Sequence, residues 1–297
     1  MATRKSQSQP TRASQRSAAS QSSKHVPPVP RIPRLLVGRA ALVTGAGSGL
    51  GRGIAEGLVR AGAKVALVDI DLAAAQETCA GLGPLGRKAC LCAQADVTDE
   101  TQVAEAFRRA VDRFGHLDIC VPAAGIAPAF PLVDFPVGPW RKALEINLTG
   151  YFLAAREAAR IMIRQGRGGS IILVSSKSGL EASKANAAYN ATKAGEIHLA
   201  RGWALELGPY GIRVNAVAPG NVFKGSKIWN PEYIKACARK RGIKPSEVIP
   251  YYVGLTALGI EIQPEDVAGI VVWLASDAAR VITGQVIVCD AGQVFVR

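Results

Sequence analysis

The stretch RAALVTGAGSGLGRGIAEGLVRAG, residues 39–62, decides the fold of this chain. It begins with a short apolar run typical of a buried strand, passes through a string of glycines, and continues with Ile54, Leu58 and Ala61 at helical spacing. A Gly-rich turn between a strand and a helix lets the backbone approach a pyrophosphate, which the helix N-terminus favours electrostatically. The stretch therefore predicts a dinucleotide-binding βα unit, with candidate contacts at Gly45, Gly47, Ser48, Gly49, Leu50 and Gly51.

The same alternation continues along the chain. Further strands are predicted at 64–70, 88–97, 117–125, 169–176, 212–220 and 284–290, and helices at 98–115, 139–165, 187–208 and 264–276. The strands are nearly continuous apolar runs, as expected of a parallel sheet covered by helices on both faces. The pattern predicts a single α/β domain, a Rossmann-type doubly wound parallel sheet over residues 35–297. Residues 221–263 break the rhythm and are predicted to form a substrate lid.

An acidic residue ends the second predicted strand. Asp69 lies 24 residues after Gly45, and a carboxylate at this point can accept hydrogen bonds from both ribose hydroxyls of NAD. It would also repel the 2′-phosphate of NADP, and no basic residue stands at Ser48 or Ile70 to offset that repulsion. The sequence therefore favours NAD as the cofactor.

A second stretch, SSKSGLEASKANAAYNATK at 175–193, carries the candidate chemistry. Tyr189 and Lys193 lie four apart on a predicted helix and so share a face, one turn apart. An ammonium beside a phenol favours the phenolate, which lowers the pKa of the phenol toward the working range. Tyr189 could then act as a general base on a substrate hydroxyl while hydride leaves for nicotinamide, and Ser176 could hydrogen-bond the substrate oxygen.

Three lysines lie near these residues in the sequence. Lys177 follows Ser176 directly, Lys184 precedes Tyr189, and Lys224 follows the predicted sixth strand. Cations around a catalytic cleft indicate an anionic substrate, with a phosphate as the natural candidate. The alternative is that one or more of them simply face solvent.

Composition limits the other classes of function. Seven of the 36 Lys and Arg residues lie in 1–34, where there is no acidic residue, and the remaining 29 are set against 23 acidic residues. Residues 1–34 are also rich in Ser, Gln and Pro, so we expect a disordered basic tail without specific nucleic-acid binding. No apolar run is long enough for a membrane helix, and none of the six cysteines forms a CxxC pair. We expect no metal site, no membrane partner and a cytoplasmic location with reduced thiols.

Five motifs in order resemble the short-chain dehydrogenase/reductase family over about residues 37–292. They are the TGxxxGxG turn, Asp96-Val97, Asn147, the YxxxK of Tyr189 and Lys193 with Ser176 before it, and Pro219-Gly220. The resemblance implies a catalytic set of Asn147, Ser176, Tyr189 and Lys193. It also implies cofactor contacts at Asp96, Val97, Ala124, Gly125, Asn147, Tyr189, Lys193, Pro219, Gly220 and Val222. The family's NNAG is PAAG here, at residues 122–125, which removes side-chain amides that brace the sheet.

Within the family, segments such as SKSG, RGIKP and the terminal GQVF resemble bacterial sorbitol-6-phosphate 2-dehydrogenases. That resemblance implies oxidation of sorbitol 6-phosphate to fructose 6-phosphate with NAD, with substrate contacts at Ser176, Lys177, Lys184, Tyr189 and Lys224. An uncharged polyol, a hydroxy-aldehyde or a 3-hydroxyacyl substrate remains an alternative, and so does a non-enzymatic NAD-binding sensor that uses its basic tail. The family also implies a homo-oligomer, a dimer or tetramer, paired through the helices predicted at 139–165 and 187–208.

Overall fold

A seven-stranded parallel sheet forms the centre of the computed structural model, which describes residues 31–295. The strands are β1 Ala40–Thr44, β2 Lys64–Asp69, β3 Cys90–Gln94, β4 Ile119–Val121, β5 Gly169–Val174, β6 Ile212–Pro219 and β7 Val286–Cys289. Their order is β3-β2-β1-β4-β5-β6-β7, with every neighbouring pair parallel. The order reverses between β1 and β4, and a parallel sheet opens a binding crevice at such a point, outside the carboxyl ends of its strands.

Residues 31–295 contain ten α-helices beside the sheet. They are α1 Gly49–Arg60, α2 Leu72–Gly81, α3 Pro84–Ala89, α4 Glu100–Phe114, α5 Val137–Leu144, α6 Gly150–Gln165, α7 Ala187–Leu207, α8 Pro231–Arg241, α9 Val248–Gly254 and α10 Pro264–Ala275. Helices α4, α6 and α7 pack on one face of the sheet, and α1 and α10 pack on the other. The predicted α/β class and doubly wound parallel sheet are confirmed.

The sheet is buried on both faces, which explains its apolar strands. In β1, Ala40 and Leu42 belong to the hydrophobic core under α4 and α6, while Ala41 and Val43 belong to the core under α1 and α10. Successive side chains of a strand point to opposite faces, so both sets must be apolar when both faces are covered.

Two regions differ in detail from the sequence-based expectation. The helix predicted at 139–165 is interrupted by a π-helical turn at Glu145–Thr149, which separates α5 from α6 and contains Asn147. The segment predicted to be a lid, residues 221–263 and called the lid below for its predicted role, is not purely irregular, because it contains α8 and α9. Pro231 begins α8, and Gly242 follows its last residue in a left-handed conformation. Both are local sequence signals of a helix, although this region departs from the strand–helix alternation of the rest of the chain.

The packed part of the chain already includes the first described residues. Ile32, which falls within the tail predicted at 1–34, packs against the core under α1, and Leu36 is fully buried. The rest of that predicted tail, residues 1–30, lies outside the described residues.

Within residues 31–295 no helix is both long and apolar enough to cross a membrane. The same part of the chain contains no cluster of three His, Cys, Asp or Glu side chains arranged for a metal ion, and all six cysteines are free thiols.

Candidate active site

The Gly-rich turn joins β1 to α1 at the edge of the crevice. A side chain at Gly45 would place its Cβ 2.8 Å from Ala124 Cα, and one at Gly51 would place its Cβ 2.0 Å from the Gly45 oxygen. Ser48 precedes α1 without capping it through its side chain, and the Gly49 N–H donates to the Gly225 carbonyl at 2.9 Å. Within residues 31–295 the next two N–H groups, of Leu50 and Gly51, have no acceptor and keep their capacity for an anionic ligand. The turn thus has the close backbone and free donors that a pyrophosphate needs.

Asp69 fixes this turn from the end of β2. Its Oδ2 accepts a hydrogen bond from the Gly47 N–H at 2.8 Å, and its Oδ1 accepts from the Asp71 N–H at 3.0 Å. Each carboxylate oxygen can accept a second hydrogen bond. Since Asp69 also lines the crevice, that remaining capacity is available to hydroxyl groups of a ligand.

The main crevice, called the first cleft, has a volume of about 320 Å³ and collects most of the predicted cofactor residues. Those that line it are Gly45, Ser48, Gly49, Leu50, Gly51, Asp69, Asp96, Val97, Ala124, Gly125, Tyr189 and Lys193. Sequence reasoning missed several apolar walls and lid residues that complete this cleft, namely Ile70, Ile126, Ile146, Ser226 and Ile228. Lys227, a further basic residue that the sequence places three positions after Lys224, also lines the cleft. The dinucleotide implied by the family fits this chain. The glycines of the turn leave room for a pyrophosphate, and N–H groups at the start of α1 can donate to it. Asp69, in the same cleft, can accept hydrogen bonds from a ribose.

The PAAG segment keeps its place through β1. Thr44 Oγ1 accepts hydrogen bonds from the backbone N–H groups of Ala123, at 3.0 Å, and Ala124, at 3.3 Å. Val174 of β5 in turn donates its N–H to the Pro122 carbonyl. These bonds hold the segment against both neighbouring strands without the amides of NNAG.

A smaller space, called the second pocket, adjoins the first cleft and has a volume of about 110 Å³. Ser176, Lys177, Gly220, Val222 and the lid residues Trp229, Tyr233 and Tyr252 line it. Tyr189 lines both spaces, so its phenol lies where the cofactor cleft and a substrate pocket would meet. Neither Gly47 nor Pro219 lines these two spaces; Gly47 borders a neighbouring surface pocket and Pro219 ends β6.

Lys193 is almost completely buried, with 4% of its surface exposed. Its Nζ donates to both Glu196 oxygens, at 2.8 and 3.0 Å, to the Val174 carbonyl at 2.8 Å, and lies 3.3 Å from the Tyr151 hydroxyl. Burial is the largest influence and opposes the charge, but the Glu196 carboxylate together with the Tyr151 and Tyr189 phenols outweighs it and raises the pKa of Lys193 above its usual value. The Tyr189 ring centroid lies 5.6 Å from the same nitrogen, so a permanent cation faces the phenol.

Asn147 is fully buried in the π-helical turn and does not line either space. Its Oδ1 accepts from the Ile126 N–H at 3.0 Å, while its Nδ2 donates to the Ile126 carbonyl at 2.9 Å and to Thr192 Oγ1 at 3.0 Å. A π-turn often occurs at a functional site, and this one turns the amide toward the loop after β4 and toward α7. In this conformation Asn147 holds the wall of the first cleft in place.

The three predicted substrate lysines are placed very differently. Lys177 lines the second pocket beside Ser176, whereas Lys184 is exposed and accepts from Lys240 through its backbone carbonyl. Lys224 Nζ is 2.8 Å from Glu265 Oε1, is well exposed, and lines neither space. Of the three, the structure brings Lys177 alone to the pocket of Ser176 and Tyr189.

Lys177 is the cation of the second pocket. Its Nζ forms no hydrogen bond or ion pair with any residue in 31–295. Burial lowers the pKa of Lys177, with the Glu181 and Asp290 carboxylates opposing the shift. A partly buried cation without a protein partner at the wall of a pocket is suited to an anionic ligand.

An aromatic cluster anchors the lid over the second pocket. Trp229 packs against Phe223 at a centroid distance of 4.6 Å, against Tyr233 at 5.3 Å and against Tyr252 at 5.4 Å. Tyr251 and Tyr252 also lie beside the Arg241 guanidinium of α8. The cluster therefore links α8 and α9 to the segment after β6, and it closes the pocket with apolar and phenolic surface.

Comparisons with known proteins agree with this geometry. The family model described as Enoyl-(Acyl carrier protein) reductase matches residues 45–293. Sorbitol-6-phosphate 2-dehydrogenase from Escherichia coli (strain K12) is 40% identical over 263 residues, covering 86% of this chain and 99% of that protein. The crystal structure of a sorbitol-6-phosphate 2-dehydrogenase from Erwinia amylovora matches with a TM-score of 0.80 and 37% identity, covering 86% of this chain and 100% of the other.

A longer relative matches as well. The uncharacterized oxidoreductase YuxG of Bacillus subtilis (strain 168) is 37% identical over 255 residues. The match takes in 86% of this chain but 37% of that protein, so the chain spans a little over a third of this relative's length.

Proposed function

This chain belongs to the short-chain dehydrogenase/reductase family and is an alcohol or polyol dehydrogenase, and we propose that it oxidises a phosphorylated polyol with NAD. The substrate we propose is sorbitol 6-phosphate, with fructose 6-phosphate as product. The observation that carries the proposal is Lys177, a cation that has no ion-pair partner among residues 31–295 and lines the pocket that also contains Ser176 and Tyr189.

The residues of the chain suit proton transfer from a secondary alcohol. Tyr189 takes the hydroxyl proton as general base, and the Lys193 ammonium favours its phenolate. Ser176 donates a hydrogen bond to the substrate oxygen as negative charge develops on it. Bound NAD supplies the acceptor for the hydride that leaves the carbinol carbon. In the reverse direction Tyr189 returns the proton to the ketone oxygen.

Asp69 supports NAD rather than NADP in this proposal. Its carboxylate lines the first cleft with acceptor capacity left for two ribose hydroxyls, and a 2′-phosphate would meet its negative charge. The first cleft supplies the rest of the binding surface through the Gly-rich turn and the walls after β3 and β4.

A substrate panel tests the proposal. Purified protein is assayed with NAD and with NADP against sorbitol 6-phosphate, sorbitol, lactaldehyde and a 3-hydroxyacyl thioester. We expect the highest kcat/KM with sorbitol 6-phosphate and NAD. Turnover of the uncharged polyol or the hydroxy-aldehyde alone would end the phosphate proposal while leaving the dehydrogenase chemistry intact. The non-enzymatic sensor gains no support from the relatives, which are named as oxidoreductases or dehydrogenases.

A substitution pair tests the role of Lys177 directly. Lys177→Met should raise KM for sorbitol 6-phosphate by about 10- to 100-fold, because a charge-assisted hydrogen bond of roughly 1.5–3 kcal/mol is lost, and should change KM for sorbitol far less. Lys224→Met is the matched control, since Lys224 is paired with Glu265 away from the pocket. If K177M raised KM equally for sorbitol 6-phosphate and for sorbitol, Lys177 would not be the ligand of the phosphate.

The same lysine gives a pH dependence with a defined sign. Burial lowers the pKa of Lys177, so its charge is lost at a lower pH than that of an exposed lysine. The affinity for the phosphorylated substrate should therefore fall as pH rises into the alkaline range, and K177M should remove that fall.

A further inference from the structure

A buried carboxylate stands behind the catalytic pair. Glu196 is fully buried on α7, one turn beyond Lys193, and both of its oxygens accept from Lys193 Nζ, at 2.8 and 3.0 Å. The proton transfer described above does not use Glu196, because it lines neither the first cleft nor the second pocket.

Packing alone does not explain this residue. The buried positions that follow on α7, Ile197, Ala200 and Ala204, are apolar. Removing a carboxylate from water costs free energy that its attraction to a single lysine often fails to recover, so a buried ion pair is weak support for stability. A cation that must be kept in a buried place for chemistry, however, needs a counter-ion there.

Counting donors shows how completely Lys193 is occupied. An ammonium group has three N–H donors, and four oxygen atoms lie within 3.3 Å of Nζ, two from Glu196 and one each from Val174 and Tyr151. No N–H is left for a further ligand unless a present partner gives way. Glu196 therefore competes with every other acceptor that Lys193 could serve.

The same competition applies to charge. Tyr189, Lys193 and Glu196 follow one another at spacings of four and three residues, so they lie along one face of α7. A phenolate at Tyr189 and a carboxylate at Glu196 would share a single cation. We propose that Glu196 is a positioning residue that holds Lys193 Nζ behind Tyr189 and partly offsets the positive charge that the phenol experiences.

Other polar groups also surround the Lys193–Glu196 pair. Tyr151 of α6 also faces Lys193, but burial raises its pKa far above its usual value and its hydroxyl donates to the Val174 carbonyl. From β5, Ser175 donates its hydroxyl to the Lys193 carbonyl, and from the π-helical turn the Asn147 amide is neutral. Burial also raises the pKa of Glu196 itself, while Lys193 opposes that shift. Tyr189 also shares the second pocket with Lys177 and with Tyr233 of α8, and replacing Glu196 changes neither of these groups.

The test removes the charge of Glu196 and reads the phenol directly. Glu196→Gln keeps the shape and leaves Lys193 with one less anion, so the Tyr189–Lys193 pair should lose its first proton at lower pH. Ultraviolet difference titration of the protein without cofactor, with Tyr189→Phe subtracted in each background, isolates Tyr189. We expect the pKa measured for Tyr189 to fall by about one unit in E196Q. The ascending limb of kcat/KM for oxidation, which reports deprotonation of the base, should move to lower pH with it and give a gain of about ten-fold at pH values below that limb. An unchanged Tyr189 titration would overturn the proposal.

Two further variants guard against a loss of folding. Glu206→Gln changes an exposed carboxylate of the same helix and should leave the Tyr189 titration unmoved. The double variant Lys193→Gln with Glu196→Gln leaves no unpaired buried charge, and we expect it to change the pKa of Tyr189 by less than about one unit, because the two removed charges offset each other. If the pKa of Tyr189 rose by two units or more in the double variant, Glu196 would not offset the charge of Lys193, and the proposal would be overturned.

This inference rests on the proposed function only in naming Tyr189 as the base. If Y189F keeps its turnover, the proposed mechanism fails. The titration of Tyr189 in E196Q still measures how strongly the charge of Glu196 acts on the phenol.

Discussion

At the residue scale, the chemistry of this protein depends on where one phenol and one ammonium lie. Tyr189 borders both the first cleft and the second pocket, and Lys193 is held behind it by partners from α6, α7 and β5. A flexible lysine on the surface would lose conformational freedom on pairing and be screened by water. A buried lysine with every donor in use is already in place, so its field acts on the phenol without rearrangement.

Removing the phenol hydroxyl should therefore abolish most of the activity and leave binding intact. Tyr189→Phe is expected to lower kcat by about 10²- to 10⁴-fold, the usual contribution of a general acid–base group. The dissociation constant of NAD, measured by fluorescence titration, should change by no more than a few-fold. Tyr210→Phe, an exposed tyrosine beyond α7, is the control. Retained turnover in Y189F would contradict the mechanism.

Cofactor choice is also decided by one side chain. Asp69→Asn removes the negative charge and keeps the shape, so we expect KM for NAD to rise by about ten-fold and discrimination against NADP to fall by a similar factor. Steady-state kinetics with both cofactors measure the ratio. Asp112→Asn, on the exposed side of α4, serves as the control. A selectivity unchanged in D69N would assign the choice of cofactor to another part of the cleft.

At the element scale, the carboxyl ends of the strands and the segments that follow them build the site. Thr44 at the end of β1 braces the loop after β4, the π-helical turn places Asn147 against the same loop, and α7 presents Tyr189 and Lys193 to it. The lid completes the site from outside, because residues of the segment after β6 line both spaces. We predict that α8 and α9 open and close together over the site, because Trp229 packs against a tyrosine of each helix.

The cluster should matter more for substrate binding than for chemistry. Trp229→Ala removes the ring that Phe223, Tyr233 and Tyr252 all contact, so the lid should close less firmly. We expect KM for the substrate to rise by about ten-fold with a smaller change in kcat, and limited proteolysis within 221–263 to become faster. Leu258→Ala, at an exposed lid position, should do neither. Unchanged KM and proteolysis in W229A would show that the cluster does not control the lid.

At the scale of the whole molecule, the site lies on one sheet that has a hydrophobic core on each face, and a third, smaller cluster lies within residues 221–263. Among the described residues, Ile32 already packs against one of the two large cores. The predicted dimer or tetramer remains a prediction, and exposed apolar side chains on α6 and α7, such as Phe152 and Leu205, are compatible with it.

Removal of the basic tail should leave the enzyme active. Deletion of residues 1–30, which keeps Ile32, is expected to change kcat/KM by less than about two-fold and to leave the melting temperature nearly unaltered, since the packed domain is retained. Activity assays and thermal unfolding of the two proteins measure this. A large loss of turnover would show that the tail takes part in the reaction.

The sequence by itself determined the doubly wound sheet, the Gly-rich turn with Asp69, and the grouping of Ser176, Tyr189 and Lys193. These features depend on local spacing: apolar runs mark strands covered on both faces, and residues four apart on a helix must share a face. Only the tertiary structure decided that Lys177 lines the second pocket and that Lys224 does not. Lys224 is paired instead with Glu265, 41 residues further along the chain. It also decided that Glu196 is buried against Lys193, since burial is set by contacts between α6, α7 and β5 that no local pattern records.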